Sequence, residues 1–338
     1  MIRWGIIGLG NIANKFAESI KEVNNSKLIA IGSSTQKKLL KFGNKYNIQN
    51  IYRFDSYEKL LECKEVDAVY ISTVNTSHAK LIIKSIKAGK NILCEKPTTV
   101  NFKEAKKVFN LLEKNKVFFA EAIPYRFHPQ TKIITNTIMK GEIGKVQSIE
   151  IKFGFAVSKL LQFLSPNNRL FNTLGGGAIL DTGCYCTSFA LLIAKLINKN
   201  SDLSKFKLTN VSGTINRKAV EDLACAKIIF KNGLEAKVET SFRKKMENNV
   251  IINGTSGKMI IPNPWFPEKT TYIEVHNKFK NYKKKIKSKY SSRANMINVT
   301  SDLIKKKLRE GNYPLMPWKD SINNMKIINK WRDILRKA

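Results

Sequence analysis

The sequence predicts an α/β domain with a parallel sheet, followed by an α+β domain with a large, mostly antiparallel open sheet. Two observations predict the first domain: short apolar strands alternate with amphipathic helices up to residue 122, and a glycine turn joins the first strand to the first helix. One observation predicts the second: longer strands of mixed polarity follow residue 145. The 338 residues are enough for two separate cores.

The elements of the first domain follow one another at short spacing. The predicted strands are "RWGII", "KLIAIGS", "VDAVYIST", "NILCEKP" and "VFFAEA". Helices are predicted from Asn11, over 36–46, over 77–88 and from Asn101, where Glu104 completes a capping box. Such alternation is typical of a parallel sheet with helices on both faces. We therefore assign residues 1–122 to this domain.

The second domain is predicted to span 123–338. Its predicted strands are "KVQSIEIKFGF", "KLTNVSGTINRKA", "LACAKIIF" and "LEAKVETSF", with Asn232-Gly233 joining the last two as a hairpin. A helix follows Gly175–Gly177, and two more, near 291–310 and 318–337, close the chain. We expect this domain to bind substrate and to pair subunits, with its C-terminal helix able to pack back on the first domain.

The net charge of +34 raises the question of a nucleic-acid partner. The chain has fifty lysines and only ten arginines, and the lysines are spread over every segment. Arginine provides most base and bidentate phosphate contacts, so we expect no specific nucleic-acid partner. The densest basic stretch, 277–290, is predicted to be a solvated loop. The charge still favours anionic cofactors or substrates.

Cysteine and histidine content exclude several other classes. The five cysteines match no zinc ligand set, and there are only three histidines, so no metal centre is expected. Free thiols indicate a reducing cytoplasm. No continuous apolar run reaches about 18 residues, and the N-terminus lacks the features of a signal peptide, so no membrane partner is expected.

The stretch "GLGNIA" predicts a dinucleotide site. Gly8 and Gly10 allow a tight turn between strand and helix, and the amides at the helix N-terminus favour a pyrophosphate. Asn11 and Ile12 begin that helix and are expected to contact the cofactor. The motif, in this position, is typical of a Rossmann dinucleotide-binding domain.

The end of the second strand predicts the choice of nucleotide. NAD sites usually have an acidic residue there for the ribose 2′-hydroxyl, but this chain has Ser33, Ser34 and Lys38 and no acid. Hydroxyl and ammonium groups suit a 2′-phosphate. We expect NADP as the preferred cofactor, with NAD as the alternative.

Two further stretches contain candidate reactive groups. In "CEKPTT", Glu95 and Lys96 end a strand at the edge where open α/β sheets bind ligands, and Pro97 is expected to follow a cis peptide bond. In "GGGAILDTGCYC", Asp181 and Tyr185 are four residues apart and share one helix face. The glycines before them are expected to let the backbone approach a ligand.

The order and spacing of several stretches resemble the glucose–fructose oxidoreductase/inositol dehydrogenase (Gfo/Idh/MocA) family. These are "GLGNIA", "NTSHAKLIIKSIKAGKNILCEKP", "EAIPYRFHPQ", "GEIGKVQSI" and "LGGGAILDTGCYC". Tyr185 stands where many members have histidine. It is similar in this to the branch of dimeric dihydrodiol dehydrogenases and NADP-dependent D-xylose 1-dehydrogenases.

The resemblance implies that Lys96, Asp181 and Tyr185 form the catalytic group. Tyr185 would accept the proton of the reacting hydroxyl while hydride passes to the nicotinamide. A free tyrosine has a pKa of about 10, and a nearby Lys96 ammonium would stabilise its anion. Whether Lys96 or Tyr185 formally takes the proton stays open.

The resemblance also implies contacts outside these motifs. The remaining cofactor contacts are expected at Thr73, Asn75, His78, Glu95, Lys96 and Glu121. Substrate contacts are expected at Arg126, His128 and Arg169, besides Tyr185, although Arg126 and His128 could instead cap a helix.

The function implied is an NADP-preferring oxidoreductase acting on a sugar or polyol, with oxidation of an aldose at C1 as the best single guess. The alternatives are a keto-sugar reductase or cyclic diol dehydrogenase, and a catalytically silent NADP(H)-binding regulator. The family's open sheet face commonly pairs subunits, so a homodimer or higher homo-oligomer is expected.

Overall fold

The computed structural model describes residues 1–157, 175–198, 202–216 and 219–337. The chain divides into two compact units. The first consists of Met1–Thr99, Lys103–Phe127 and Tyr290–Trp318, and the second of Val100–Phe102, His128–Lys289 and Lys319–Ala338. The division is thus not a single cut at residue 122, because the later segment Tyr290–Trp318 belongs to the first unit.

The first unit is built on a parallel sheet, as predicted, whose described part has six strands rather than the five predicted, because the short strand Arg53–Phe54 was missed. These six strands are ordered β3-β2-β1-β4-β5-β6, the order of a Rossmann fold. The strands are β1 (Ile2–Ile7), β2 (Ser26–Gly32), β3 (Arg53–Phe54), β4 (Ala68–Ile71), β5 (Asn91–Glu95) and β6 (Phe119–Ala122). The helices between them are α1 (Asn11–Ser19), α2 (Gln36–Lys45), α3 (Tyr57–Glu62), α4 (His78–Lys87) and α5 (Phe102–Glu113). Its core includes Phe16 stacked on Tyr70, with ring centroids 4.0 Å apart.

The second unit is built on an eight-stranded sheet ordered β14-β13-β12-β11-β7-β10-β9-β8. Among the strand pairs that the structure describes, β7–β10 alone is parallel, so the mostly antiparallel prediction is confirmed. The strands are β7 (Val146–Gly154), β8 (Phe206–Ile215), β9 (Glu221–Phe230), β10 (Glu235–Ser241), β11 (Val250–Gly254), β12 (Gly257–Ile261), β13 (Thr270–Asn277) and β14 (Asn281–Lys287). Further helices of the chain are α6 (Pro129–Met139), α7 (Cys184–Ile197), α8 (Ser292–Lys305) and α9 (Trp318–Lys337).

The helix that returns to the first unit is α8. The Trp4 indole of β1 donates to Ser301 Oγ at 3.0 Å, and Asn25 Nδ2 donates to Asn298 O at 2.8 Å. Helix α9 belongs, after its first residue, to the second unit. The penultimate helix therefore does what we expected of the last one.

The hairpin between β9 and β10 has a three-residue loop rather than the two-residue turn predicted. Phe230 N donates to Leu234 O at 3.0 Å, which leaves Lys231, Asn232 and Gly233 in the loop. Gly233 has φ +84°, the left-handed conformation that a three-residue loop of this kind requires.

The lysine-rich stretch 277–290 is largely a strand, not the solvated loop expected. Strand β14 forms one edge of the large sheet, and Ile286 points to the buried side. Lys283 forms an ion pair with Glu274 of β13 at 2.9 Å. Lysines along an edge strand discourage pairing with other chains, which accounts for this cluster structurally.

One described stretch, Ile179–Ile197, is long and apolar enough by average hydropathy to cross a membrane. Of its most apolar window, 89% is buried inside the protein, as in a core helix. The stretch contains Asp181 and Lys195, so it is apolar on average and is not a continuous apolar run.

All five cysteines lie among the described residues, and each is a free thiol there. Burial raises the pKa of the Cys94 and Cys186 thiols well above the usual range. A cytoplasmic location stays a prediction.

Candidate active site

The glycine turn after β1 combines one glycine that the fold requires with one that faces open space. Gly8 has φ +90°, and a Cβ there would lie 2.7 Å from Thr73 Cγ2. Gly10 precedes α1, and a Cβ there would meet no described atom within 4 Å. In the described chain, no side chain caps the first amides of α1. This arrangement fits a dinucleotide pyrophosphate at Gly10.

A groove of about 480 Å³ lies between this turn and α2. Lys38, Lys41 and Lys45 line it from one face of α2, because residues three and four apart are neighbours on a helix. Its other lining residues are Leu9, Gly10, Asn11, Asn14 and Phe42. Lys45 lies 3.6 Å from Glu18, whereas Lys38 and Lys41 have no ion-pair partner in the described part of the chain. The groove is therefore electropositive.

Asn14 fixes the start of α1 at the edge of this groove. Its Nδ2 donates to Gly10 O at 3.1 Å, and its Oδ1 accepts from the Tyr46 hydroxyl at 2.9 Å. Asn14, Lys41 and Lys45 were not predicted, although their spacing from Gly10 and from Lys38 would have indicated them.

The two serines after β2 differ in their surroundings. Ser33 is buried, and its hydroxyl accepts from Thr35 N at 3.1 Å, which shapes the turn. Ser34 is exposed beside the start of α2. Of the two, Ser34 is the one with an exposed side chain.

Lys96 stands at a rigidly connected strand end. The Lys96–Pro97 bond is cis, as predicted, and Lys96 is half-buried. Thr98 N donates to Glu121 Oε1 at 2.9 Å, so the carboxylate of Glu121 holds the turn after Pro97. Within the core, the Tyr70 hydroxyl donates to Glu95. Burial and the Glu95 charge raise the pKa of Tyr70 well above its usual range.

His78 joins the loop after β4 to the same turn. Its Nδ1 lies 2.9 Å from Pro97 O and its Nε2 lies 3.3 Å from Thr73 O. The imidazole is fully buried, and burial lowers its pKa. Asn75 is also buried, and it begins the short helical turn Asn75–Ser77 that directly precedes His78. His78 thus shapes the predicted cofactor loop from within.

Arg126 serves the returning segment. It is buried, its Nε donates to the Tyr125 hydroxyl at 3.1 Å, and its Nη1 donates to Pro314 O at 3.1 Å. Pro314 belongs to the segment Tyr290–Trp318. The guanidinium is thereby engaged with the protein itself.

In the second unit, the residues after the glycine triplet form a π-turn, Ile179–Gly183, before α7 begins. Such turns are often found at functional sites. Asp181 lies half-buried in this turn, and its amide donates to Gly177 O at 3.1 Å. Thr240 Oγ1 of β10 donates to Ala178 O at 3.2 Å and fixes the turn from below.

Tyr185, in the first turn of α7, lies in a cluster of aromatic side chains. Its ring centroid is 5.3 Å from that of Phe153, 5.9 Å from Trp265 and 5.8 Å from Phe266, all in edge-to-face geometry. Tyr185 is only 3% exposed, whereas Phe266 is 44% exposed. The cluster is therefore exposed to solvent at Phe266.

His128 caps a helix, which is one of the two roles considered for it. Its Nδ1 accepts from Gln130 N at 3.1 Å at the start of α6. Burial lowers its pKa to about 4, so the imidazole is neutral. Arg169 lies outside the described residues.

The sequence of each unit can be compared with known families. A model of an oxidoreductase family with an NAD-binding Rossmann fold matches residues 2–122, and a model of the GFO/IDH/MocA C-terminal domain matches residues 133–260. The chain belongs to the GFO/IDH/MocA oxidoreductase family. It is therefore an oxidoreductase with a nicotinamide dinucleotide-binding domain, as the resemblance implied.

Curated members of the family are similar over most of the chain. The trans-1,2-dihydrobenzene-1,2-diol dehydrogenase of Mus musculus is 29% identical over 268 residues, which cover 79% of this chain and 76% of the mouse enzyme. That of Danio rerio is 27% identical over 281 residues, covering 82% and 80%. These relatives match the predicted branch.

Solved structures of two other oxidoreductases share the fold. A 3-ketoreductase from Actinomadura kijaniata, in complex with NADP and TDP-benzene, has a TM-score of 0.84 at 20% identity and covers 99% of this chain and 97% of its own. The aldose–aldose oxidoreductase from Caulobacter crescentus has a TM-score of 0.85 at 19% identity, covering 99% and 98%.

Proposed function

We propose that the protein is an NADP-preferring dehydrogenase that oxidises a hydroxyl group of a sugar or polyol, with C1 of an aldose as the first candidate. The observation that supports it most directly is Tyr185, one turn after Asp181, with its ring buried among aromatic side chains. A phenol held in this way can exchange a proton with a substrate hydroxyl.

The first unit supports NADP as the cofactor. Gly10 leaves room for the pyrophosphate at the start of α1, and Lys38 and Lys41 offer two ammonium groups to a 2′-phosphate. Among the described residues that line the groove there is no carboxylate. When bound, the nicotinamide supplies the hydride acceptor.

The chain's own groups would handle the proton. The Tyr185 oxygen accepts the hydroxyl proton of the substrate, and the resemblance assigns the Lys96 ammonium the role of stabilising the tyrosinate charge. Asp181 orients a second substrate hydroxyl, or, as the resemblance implies, Lys96. The aromatic side chains around Tyr185 exclude water from the phenol.

A second candidate substrate is a cyclic trans-diol. The aromatic cluster of Phe153, Tyr185, Trp265 and Phe266 suits an apolar ring as well as the apolar face of a sugar. The mouse and zebrafish relatives are named as dehydrogenases of such a diol. Phe266→Ala should raise the KM of the diol more than that of the aldose. The control is Phe279→Ala, which removes a 93% exposed ring outside the cluster.

A homodimer through the open face of the large sheet is also proposed. On that face, Glu150 of β7 lies opposite Lys237 of β10, and Lys152 lies opposite Glu239. These four residues line a shallow cavity of about 250 Å³. Alternating charges let a two-fold related copy meet the face with opposite signs. Sedimentation at low and high salt tests this, and a monomer at both would contradict it.

The first experiment is to follow reduction of NADP and NAD by absorbance over a panel of aldoses, inositols and cyclic trans-diols. Turnover of an aldose with NADP would support the first candidate, and turnover restricted to the diols would support the second. Oxidation of NADPH by keto-sugars, with no reaction in the other direction, would indicate a reductase. NADPH binding without any turnover would favour a regulatory protein.

A further inference from the structure

The glycine triplet before Asp181 packs against a buried ion pair. Gly177 has φ +102°, and a Cβ there would lie 2.6 Å from both the carboxyl carbon and Oε1 of Glu221. Arg332 Nε of α9 donates to Glu221 Oε1 at 2.7 Å, and Arg336 Nη2 donates to Glu221 Oε2 at 3.1 Å. The side chains of Glu221 and Arg332 are 1% and 7% exposed. The Glu221–Arg332 pair is thus part of the wall against which this turn is built.

Arg332 also contacts two backbone segments. Its Nη2 donates to Gly176 O at 3.5 Å, and its Nη1 donates to Val100 O at 3.4 Å. Val100 lies four residues after Lys96 in the sequence and belongs to the second unit. One guanidinium therefore bonds the glycine triplet and the chain that continues from Lys96.

Gly177 lies two residues before the turn Ile179–Gly183, which contains Asp181. Its carbonyl accepts from the Asp181 amide at 3.1 Å, the hydrogen bond that starts the turn. At the other end, a Cβ on Gly183 would lie 3.3 Å from Cζ3 of Trp331, the residue before Arg332. Adjacent residues of α9 therefore back both ends of the segment that presents Asp181 and Tyr185.

Stability alone is a weak reason for such an arrangement. Taking two charges out of water is costly, and apolar replacements of a buried ion pair are often neutral or stabilising. What an apolar pair does not provide is a set of directed hydrogen bonds to carboxylate and carbonyl oxygens. The directional contacts at Gly176 and Val100 point to orientation of the backbone.

We propose that Glu221 and Arg332 are positioning residues, which set the glycine triplet and the following turn so that Asp181 and Tyr185 meet the substrate in reactive geometry. This inference rests on the proposed function, in which Asp181 and Tyr185 act on the substrate. A displacement of about 1 Å in such a group can lower a rate about 100-fold.

The test compares Glu221→Gln with Asp320→Asn. Both replace a buried carboxylate by its amide within the second unit, and Asp320 pairs with Lys195 at 3.2 Å, near the far end of α7. We expect Glu221→Gln to lower kcat about 10- to 100-fold with the KM for NADP within about twofold. Asp320→Asn should keep kcat within about twofold at a comparable loss of Tm. Arg332→Lys, which keeps the charge but not the fork of donors, should resemble Glu221→Gln.

Amide hydrogen exchange supplies a measurement that does not depend on turnover. In Glu221→Gln the Asp181 amide should exchange at least about tenfold faster than in the wild type, and in Asp320→Asn it should not change. Faster exchange with no turnover in the wild type would support the positioning of the turn while the proposed function failed. Equal kcat values and equal Asp181 exchange in the two variants would overturn the inference.

Discussion

The two glycine motifs look alike in sequence and differ in what surrounds them. Gly10 of the first unit faces open space beside the start of α1, whereas Gly177 of the second faces the Glu221 carboxylate. Both were expected to bring backbone close to a ligand. The comparison shows that a glycine can be required either by what will bind or by what is already packed there, and that these demands have different consequences when a methyl group is added.

The largest effect is expected when the Tyr185 hydroxyl is removed while the packing of its ring is kept. Tyr185→Phe removes only the hydroxyl from a ring that stays in its aromatic cluster. We expect kcat to fall about 100- to 10,000-fold, the usual contribution of a proton-transfer group, with an unchanged KM for NADP. Steady-state kinetics on the best panel substrate measures it. Tyr272→Phe, on a 39% exposed tyrosine, is the control, and near-normal kcat in Tyr185→Phe would remove the phenol from the mechanism.

A methyl group on each glycine tests the comparison directly. Gly10→Ala should fold with an unchanged Tm, because its φ of −92° is ordinary and the Cβ meets nothing. Its methyl group would occupy the proposed pyrophosphate space, so the KM for NADP should rise about 10- to 100-fold. Gly177→Ala should instead lose about 1–3 kcal/mol of the free energy of unfolding, the cost of a strained left-handed residue, with NADP affinity unchanged.

Thermal unfolding and NADPH titration of both variants decide between the two kinds of glycine. The comparison fails if Gly10→Ala loses stability instead of affinity. It also fails if Gly177→Ala is as stable as the wild type, since Glu221 would then have room to move.

Much of the fold could be predicted because its cause is local. The apolar runs of β1, β4 and β5 and the glycine turn are complete signals within a few residues each. Strands β11 to β14 were missed. In β14 the reason is that lysines hide the alternation, since only Tyr282 and Ile286 mark the inward side. The return of α8 to the first unit depends on contacts such as Trp4 with Ser301, which are 297 residues apart.

His128 was predicted to contact the substrate or to cap a helix, and the pH dependence of stability can distinguish these two roles. Its pKa is lowered from 6.5 to about 4, so between these values the unfolded chain binds the proton and the folded chain does not. Stability should therefore rise with pH across this window, by up to about 1.4 kcal/mol per pH unit from this group. His128→Asn keeps a capping side chain and should remove this contribution.

Urea unfolding of the wild type and of His128→Asn from pH 4.5 to 6.5 measures the difference in slope. We expect kcat on the best panel substrate to change less than about twofold, because the ring is used by α6. A large rise in the substrate KM with an unchanged slope would instead support the substrate contact.

The candidate site likewise contains residues that a local motif indicates and residues that only long-range contacts bring together. Gly8, Gly10, Lys96, Asp181 and Tyr185 could be selected because each stands in a short motif with a recognisable chemical use. Glu221 and Arg332 could not, since they are 111 residues apart and neither stands in a motif. The same holds for the partners of Tyr185: nothing local in "NPWFPE" indicates that Trp265 and Phe266 lie against it.

The smallest effect is expected in the groove beside Gly10, which exposed lysines line. Lys41→Met removes one ammonium group from the face that Lys38 shares, and it should raise the KM for NADP about 3- to 10-fold while leaving that for NAD unchanged. Ser34→Asp adds a carboxylate at the same edge and should move the NADP/NAD preference in the same direction. Lys107→Met, at an exposed position of α5 outside the lining of the groove, is the control for a general loss of positive charge. Because exposed charges are screened, the Lys41 effect should shrink at high salt, whereas the Gly10→Ala effect, which is steric, should not.

Equal losses for NADP and NAD in Lys41→Met would mean that the lysine serves the pyrophosphate rather than the 2′-phosphate, and the groove would then carry no information about nucleotide choice.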